Sequence, residues 1–534
     1  MRHRLLYIPI AILFLLSFVD CAKKGTPSGG KKDSIPPVIV KSVPENYSIN
    51  FTGDEIRIYF DEYIKLKNLQ SNLIISPPLK YPPVITPLST SKFIKIKIQD
   101  TLLPNTTYSF NFGQSIVDNN EENAYDYFKY VFSTGTYIDS LTLSGSIKDA
   151  LLSKPDAPTT VLLYEVNETY KDSMVFSEKP MYITTTRDST NTFELTNLKE
   201  GTYKLIALKE KNNDYTFQPK NDKIGFVAQF ITLPTDSTYQ LSLFKENPVY
   251  AIARPKHESK NHILFGYEGD IKDLSIELKS EVPSSFESKL FKDIKSDTLH
   301  YWFKPSVEND SLLFITTNKG VTDSLNLRMR DLYKDSLSIG AITTGVVLPR
   351  DTLKLKSNTP LVAIDAEKIV VINKDSVQIP LTAQLNSKQN IAALFFPKTE
   401  AQSYAIKLLP GALTDFYESQ NDTILFAVRT KVASDYGTLS LTVNASNLLP
   451  KIVQLVDNKF KVIDEKVLSE SQNVYFDYII PGKYYLRIVL DENQNGIWDP
   501  GNFLEHQQPE TIIYYPAPLE ILANWSLNET FNLE

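Results

Sequence analysis

Short runs in which apolar and polar residues alternate recur along the whole chain, and no long stretch carries the 3.6-residue period of a helix. Ile56–Phe60, Ile94–Ile98, Tyr108–Phe112, Leu325–Met329, Leu353–Leu355 and Leu439–Val443 each put every second side chain on one face. A period of two marks a strand with one face buried and the other wet. The alternating Lys, Arg, Ser and Thr are predicted to face water. Clusters of Pro, Asn, Asp, Ser and Gly separate the runs and supply turns. Many short strands with regular turns predict an all-β chain of β-sandwiches. At 534 residues the chain has room for several domains of roughly 100–150 residues each. Hydrophobic residues make up 42% of it, with 29 Tyr and 28 Phe, enough to bury real cores and to exclude wholesale disorder.

Internal repeats refine this picture. Tyr108–Phe112 is followed by Asp118–Asn120 and then by Tyr130–Thr134. Tyr404–Leu408 is followed by Asp415 and then by Phe426–Thr430. Both copies pass from a strand through a polar loop to a closing strand that ends in Thr. The first copy opens with Pro36, Pro37, Pro44 and the run Ile56–Glu62. It resembles the bacterial Ig-like domain of surface-layer and envelope proteins in its Pro-Pro start, its Pro-x-Asn turn and a strand closing on Phe-Asp-Glu. A second unit follows each of these. Aligning Gly201 with Gly482 also aligns Tyr203 with Tyr484, Leu205 with Leu486, Asn212 with Asn493, Phe217 with Trp498 and Pro219 with Pro500, without a gap. This unit resembles the transthyretin-like sandwiches of carboxypeptidase regulatory domains and the B-type repeats of surface adhesins. The expected order is a signal peptide at 1–20, a tether at 21–37, an Ig-like domain at 38–136 and a transthyretin-like sandwich at 137–246. A β-domain of unclear kinship at 247–345, a second Ig-like domain at 346–432 and a second transthyretin-like sandwich at 433–534 complete it.

The N-terminus reads as an export signal. Arg2 and Arg4 precede the apolar run Leu5–Val19, which is shorter than the roughly 20 residues a membrane-spanning helix needs. Cys21 follows directly and is the chain's single Cys. The arrangement resembles a bacterial lipoprotein signal, although Asp20 stands where a small residue usually precedes the Cys. The resemblance implies lipidation of Cys21, which would become the first mature residue, and therefore an outer-membrane lipoprotein. No disulfide is then available, so stability comes from packing. Residues 22–37 are rich in Gly, Ser, Pro and Lys and read as a tether. No acidic cluster follows the Cys; in the lipoproteins this signal resembles, such a cluster marks export to the cell surface, so the resemblance implies the periplasmic face over the cell surface.

Asp491–Asp499 carries the most specific local signal. Asp491, Asn493, Asn495 and Asp499 place side-chain oxygens at positions 1, 3, 5 and 9. Gly496 at position 6 allows a sharp turn, and the Ile497 carbonyl could contribute. Ca²⁺ takes six to eight hard oxygen ligands, and this spacing offers them. The run departs from an EF-hand in its strand-like flanks and in Asn502 at position 12. It resembles calcium loops between adhesin strands, which implies a structural Ca²⁺. The matching residues of the first copy are Glu210, Asn212, Asp214 and Gln218, with Tyr215 in place of the glycine. An Asx-rich turn bonded to its own backbone is the alternative for both.

The tripeptide Asp-Ser/Thr followed by Ala, Ile, Leu, Met, Thr or Val occurs thirteen times, several times what the chain's own composition would give. It resembles the O-glycosylation sequon of exported Bacteroidota proteins. The acceptors would be Ser34, Thr101, Ser140, Ser173, Ser189, Ser237, Thr298, Ser311, Ser324, Ser336, Thr352, Ser376 and Thr423. Turn chemistry ahead of an apolar strand is the competing reading.

Enzyme signatures do not occur. His257, His262, His300 and His506 form no HExxH pattern or His-rich cluster, and there is no GxSxG elbow or P-loop. Leu299–Phe303 reads as a core strand, with an aromatic platform for sugar as the other reading, and Trp525 reads as core. A net charge of −7 and a pI near 5.5 argue against nucleic acid as a partner. The sequence therefore predicts a non-catalytic outer-membrane lipoprotein, a semi-rigid arm of sandwiches acting as a scaffold or binding subunit of an envelope complex. A carbohydrate-binding or adhesive surface lipoprotein is the alternative, and a hydrolase with an unrecognised carboxylate site stays open. Expected partners are the membrane, through the lipid, other envelope proteins, and glycans under the alternative.

Overall fold

A computed structural model describes residues 33–154, 157–186, 190–445, 450–468 and 473–533. The signal segment, Cys21, most of the tether and the sequon at Ser189 lie outside the described residues. Among the described residues strands account for 49% of the chain and helix for 3%, and no helix is long and apolar enough to cross a membrane. The chain divides into two compact units. One comprises residues up to Leu143 with Pro180–Thr184 and Leu195–Gly201. The other comprises Ser144–Lys179, Thr185–Glu194 and Thr202–Glu534.

The first unit contains a sandwich. One sheet runs Ile39–Val43, Glu55–Leu66, Ser91–Lys97, Val84–Thr86, with Ile116–Asp118 also paired to Glu55–Leu66. The other runs Ile74–Ser76, Thr107–Asn111, Lys129–Ser133. The period-two reading holds residue by residue. Ile56, Ile58 and Phe60 are buried, whereas Arg57 and Asp61 are exposed. Phe132 lies at the centre of the core, 4.3 Å from Phe51 and stacked on Tyr108 at 5.5 Å. Burial of each such ring contributes about 1.5–3 kcal/mol.

In the second unit the sheets again draw their strands from separate stretches of sequence. The two transthyretin-like copies share one topology. Thr160–Glu165, Gly201–Lys209 and Lys223–Phe226 are neighbours in the first copy. Lys451–Val456, Gly482–Leu490 and Ile512–Tyr514 are neighbours in the second. Gly145–Asp149 pairs in parallel with Tyr239–Leu243, and Thr438–Ala445 pairs in parallel with Ser526–Leu533. The strands that begin at the aligned Gly201 and Gly482 are both nine residues long.

The two Ig-like copies share a hydrogen-bond network as well as strand order. In the first, Tyr108 Oη accepts from Leu103 N at 2.8 Å, and Thr134 Oγ1 accepts from Thr106 N and donates to Leu103 O. In the second, Tyr404 Oη accepts from Thr399 N at 2.7 Å, and Thr430 Oγ1 accepts from Gln402 N and donates to Thr399 O. Asp118 and Asp415 are both buried and cap the loop that follows, through Asn120 N and Asn123 N in one case and Tyr417 N and Ser419 N in the other.

The expected arm is not what the second unit forms, because its last sandwich folds back onto its first. Arg487 Nη1 and Tyr514 Oη both donate to Leu151 O, at 2.8 and 2.6 Å. Phe503 N donates to Glu246 Oε1 at 2.6 Å, and Gln508 Nε2 donates to Phe226 O at 3.0 Å. The Phe503 ring meets Phe226 edge to face at 5.2 Å. Gly501 permits this approach, since a Cβ there would stand 2.7 Å from the Phe244 ring and 2.4 Å from Gln507 O. Between these ends, Phe291 and Trp302 cluster with Phe416 and Tyr417. Arg350 forms ion pairs with Asp464 and Asp477.

Candidate functional site

The two predicted loops have the same backbone. Gly496 has φ +78°, and Tyr215, its counterpart, adopts φ +64°. Gln494 and Asn213, two residues earlier, match at +63° and +54°. The left-handed conformation is costly for Tyr, yet the turn survives without the glycine. The carboxylate that begins each loop holds it. Asp491, buried, accepts from Asn495 N at 3.1 Å and Gly496 N at 2.9 Å. Glu210 accepts from Asp214 N at 3.1 Å and Tyr215 N at 3.0 Å.

The remaining side chains converge. In the second loop Asn493 Nδ2 and Asn495 Nδ2 both donate to Asp499 Oδ2, at 2.5 and 2.6 Å. Asn493 Oδ1 accepts from Asn495 N, and Asn495 Oδ1 accepts from Ile497 N. Ile497 itself is exposed. In the first loop Asn212 Nδ2 donates to Gln218 Oε1 at 3.1 Å and Gln218 Nε2 donates to Asp214 Oδ2 at 2.8 Å. Both predicted sets are thus brought together, but the first residue of each faces the loop's own N–H groups. Among the described residues no three His, Cys, Asp or Glu side chains are grouped to hold a metal. The meeting point in the second loop offers one carboxylate and two side-chain amides.

Three carboxylates in or beside these loops have shifted protonation. Burial pushes Glu210 up to about 7, and its Oε1 is buried without a hydrogen-bond partner. Burial also raises Glu510. Glu510 is a residue that spacing did not reveal. Its Oε1 accepts from Glu492 N and its Oε2 from Asp499 N, bracing both ends of the second loop from eleven positions beyond it. For Asp214, burial alone would raise the value, but hydrogen bonds led by Thr216 N–H hold it below the usual carboxylate range.

The other predicted positions are scattered. Of the sequon acceptors in the described residues, ten are exposed, and Thr298 and Thr352 are half-buried; none is buried. Some of their Asp residues serve local turns, as Asp33 does by accepting from Ile35 N and Asp351 by accepting from Leu348 N. Leu299, Tyr301, Trp302 and Phe303 are buried, so the run is a core strand and offers no sugar platform. Trp525 corrects the sequence reading: it is 60% exposed. It stands in the turn just before Ser526–Leu533, where its carbonyl accepts from Thr438 N and its side chain points out of the sandwich edge.

The histidines also depart from expectation, because His262 and His300 do meet. His262 Nε2 and His300 Nδ1 lie 2.9 Å apart. The rings form a column, Phe291 on His300, His300 on His262, and His262 on Trp302 at 3.9 Å. Burial lowers His262 to about 3, so the column is uncharged at neutral pH and acts as packing between sandwiches.

Residues 33–134 match the family model of a bacterial Ig-like domain, which supports the Ig-like reading of the N-terminal sandwich. No curated protein matches the chain. Similar solved structures include the S-layer protein rSbsC(31-844), 12% identical, covering 91% of this chain and 68% of that one with a TM-score of 0.17. The BSP domain of a biofilm associated protein is 8% identical, over 88% of this chain and 97% of that one, with a TM-score of 0.15. The I9-I11 tandem from titin is 9% identical, over 53% and 100%, with a TM-score of 0.12. Scores this low carry no functional argument.

Proposed function

We propose that the chain is a non-catalytic lipoprotein of the outer membrane, anchored through Cys21 on the periplasmic side, and that it serves as a scaffold or binding subunit of an envelope complex. The closure of the second unit carries this reading. A flexible string of domains is joined by small polar contacts, whereas this unit locks its first and last sandwiches with buried Phe503, Phe226 and Arg487. A block of fixed geometry suits a part whose task is to hold surfaces in register. The adhesive, sugar-binding alternative loses its aromatic platform, since Leu299–Phe303 faces the core.

A structural Ca²⁺ at the second loop belongs to the same reading. Asn493, Asn495 and Asp499 already meet at one point, and turning the two amides would present their oxygens to the ion. O-linked glycans on the exposed Asp-Ser/Thr turns also belong to it.

The test is a mild-detergent pull-down of the tagged full-length protein from native membranes, beside Cys21→Ser. The natural chain should sit in the membrane fraction and bring envelope proteins with it, and Cys21→Ser should move to the soluble fraction. A chain that is soluble in both forms and emerges alone would refute the proposal.

A further inference from the structure

Within the second unit a cleft of about 240 Å³ opens beside the strand Glu287–Lys292, lined by Lys289, Phe291, Pro360, Leu361, Leu385 and Lys388 among others. Its floor is apolar and buried at Phe291 and Leu361. Leu290 and Val362 at its margin are 40% and 44% exposed. Its size lies below the roughly 300–1,000 Å³ of small-molecule sites and suits one or two aliphatic side chains.

Among the described residues, Glu287–Lys292 is the edge of its sheet and pairs as a strand only with Thr298–Lys304. In an antiparallel ladder successive residues turn their N–H and C=O groups to alternate sides. Asp293 N donates inward to Thr298 O, and Lys292 N donates outward to Lys388 O at 3.0 Å. The same alternation turns the N–H and C=O of Leu290 and Ser288 to the open side. An unpaired edge of this kind is a template for another strand. The chemistry of the walls selects its sign. Lys289 and Lys388 are exposed, neither is in an ion pair among the described residues, and no carboxylate lines the cleft, although the chain as a whole carries −7.

We propose that this cleft receives an extended acidic segment of a partner protein. The segment adds as a strand beside Ser288 and Leu290, places an aliphatic side chain over Phe291 and Leu361, and sets carboxylates against Lys289 and Lys388. The inference rests on the binding-subunit reading and names one of its contact surfaces.

The probe is a fluorescent seven-residue peptide, Glu-Thr-Val-Thr-Glu-Thr-Val (the Val/Glu peptide), whose Val and Glu share one face of a strand as Phe291 and Lys289 do, with Lys in place of Glu in its opposite (the Val/Lys peptide), titrated by anisotropy into the full-length protein. The Val/Glu peptide should bind with a salt-dependent affinity and the Val/Lys peptide should not. Lys289→Glu with Lys388→Glu should weaken Val/Glu binding by roughly tenfold or more and admit the Val/Lys peptide. Ser288→Pro should also abolish binding, because a proline there blocks the outward edge while leaving the bonds to Thr298–Lys304. Unchanged melting temperatures in both variants confirm that the fold is kept. No Val/Glu binding, or binding that the charge reversal leaves unaltered, overturns the proposal. A natural chain that dimerises and becomes monomeric with Ser288→Pro also overturns it, since a second copy is then the occupant. A failed membrane pull-down with intact peptide binding would sink the envelope role alone, and the reverse result would sink the cleft alone.

Discussion

Phe503→Ala isolates the closure of the second unit. Phe503 is fully buried, yet it does not belong to the hydrophobic core of its own sandwich, which is built from Leu439, Leu441, Phe476, Leu486 and Ile488. Its ring instead reaches Phe226 at 5.2 Å and lies 5.9 Å from the Lys204 ammonium. Truncating a buried Phe costs about 3–5 kcal/mol. Within that sum the edge-to-face pair accounts for about 0.5–1.5 kcal/mol. The backbone bond from residue 503 to Glu246 persists, so the loss falls on the junction and not on either sandwich. Hydrogen exchange read by mass spectrometry should show it. Peptides covering 501–508 and 223–228 are expected to exchange roughly 10²- to 10⁴-fold faster, while Gly437–Ala445 and Gly482–Leu490 keep their protection. Unchanged exchange at 501–508 would refute the closure. Loss of protection throughout 437–533 would show that Phe503 belongs to the sandwich core and that the reasoning about its place is wrong.

Three of the remaining predictions concern single charges. Glu210, at about 7 when folded, binds its proton more tightly than in the unfolded chain, so the stability it contributes is complete below about 4.5 and is lost as pH rises through 7. At about 1.4 kcal/mol per pH unit this amounts to at most about 3 kcal/mol; Glu210→Gln should flatten the profile of melting temperature against pH, and a parallel profile would contradict the assignment. Asp491→Ala leaves Gly496 N without its acceptor and Asn495 N with Asn493 Oδ1 alone, and should cost roughly 1–3 kcal/mol in denaturant titration, whereas a loss under 0.5 kcal/mol, the size of an ordinary surface change, would show the loop is not held by that carboxylate. Lys204 is fully buried, and among the described residues its ammonium donates to Ala228 O and has three Phe rings around it. Lys204→Met is expected to be neutral or stabilising at pH 7, with the gap between the two proteins closing as pH rises toward 10; a destabilised variant would show that the charge is needed. A chelator should lower the melting temperature of the natural protein if the second loop holds Ca²⁺ by its three converging side chains, and no shift would count against the ion. Intact mass of the native protein should exceed the mass of the polypeptide with its Cys21 lipid by whole glycans, and bare Ser and Thr at all the sequon positions would dispose of the modification.

Features set by neighbours in sequence were legible. The alternation of Ile56, Ile58 and Phe60 with Arg57 and Asp61 is a local property of a strand with one dry face, and the structure follows it. Gly201 and Gly482 could be aligned because loop and strand recur together, and the loops do share one backbone. Tyr215 shows the limit: its side chain argued against the turn, but Glu210 and the flanking strands impose the left-handed conformation. Trp525 is exposed despite its type, because residue type says how much area could be buried, not whether the chain brings a partner to cover it. Lys204 is the reverse, a charged residue drawn inside by a junction with a sandwich some three hundred residues away. That junction, Glu510 behind the second loop, and the column of His262 and His300 all depend on which elements meet in space, and no period or spacing encodes them.

The parallel pairing of first and last strands has a mechanical meaning. In the last sandwich Thr438–Ala445 runs beside Ser526–Leu533 through eight successive partners. The chain enters at one end of this pair and leaves at the other. A pull on its two ends therefore slides the strands lengthwise past each other and loads every rung at once instead of unzipping them singly. Gly145–Asp149 and Tyr239–Leu243 repeat the arrangement in the first sandwich of the unit. Tension drawn along the chain would meet two such shear clamps in series.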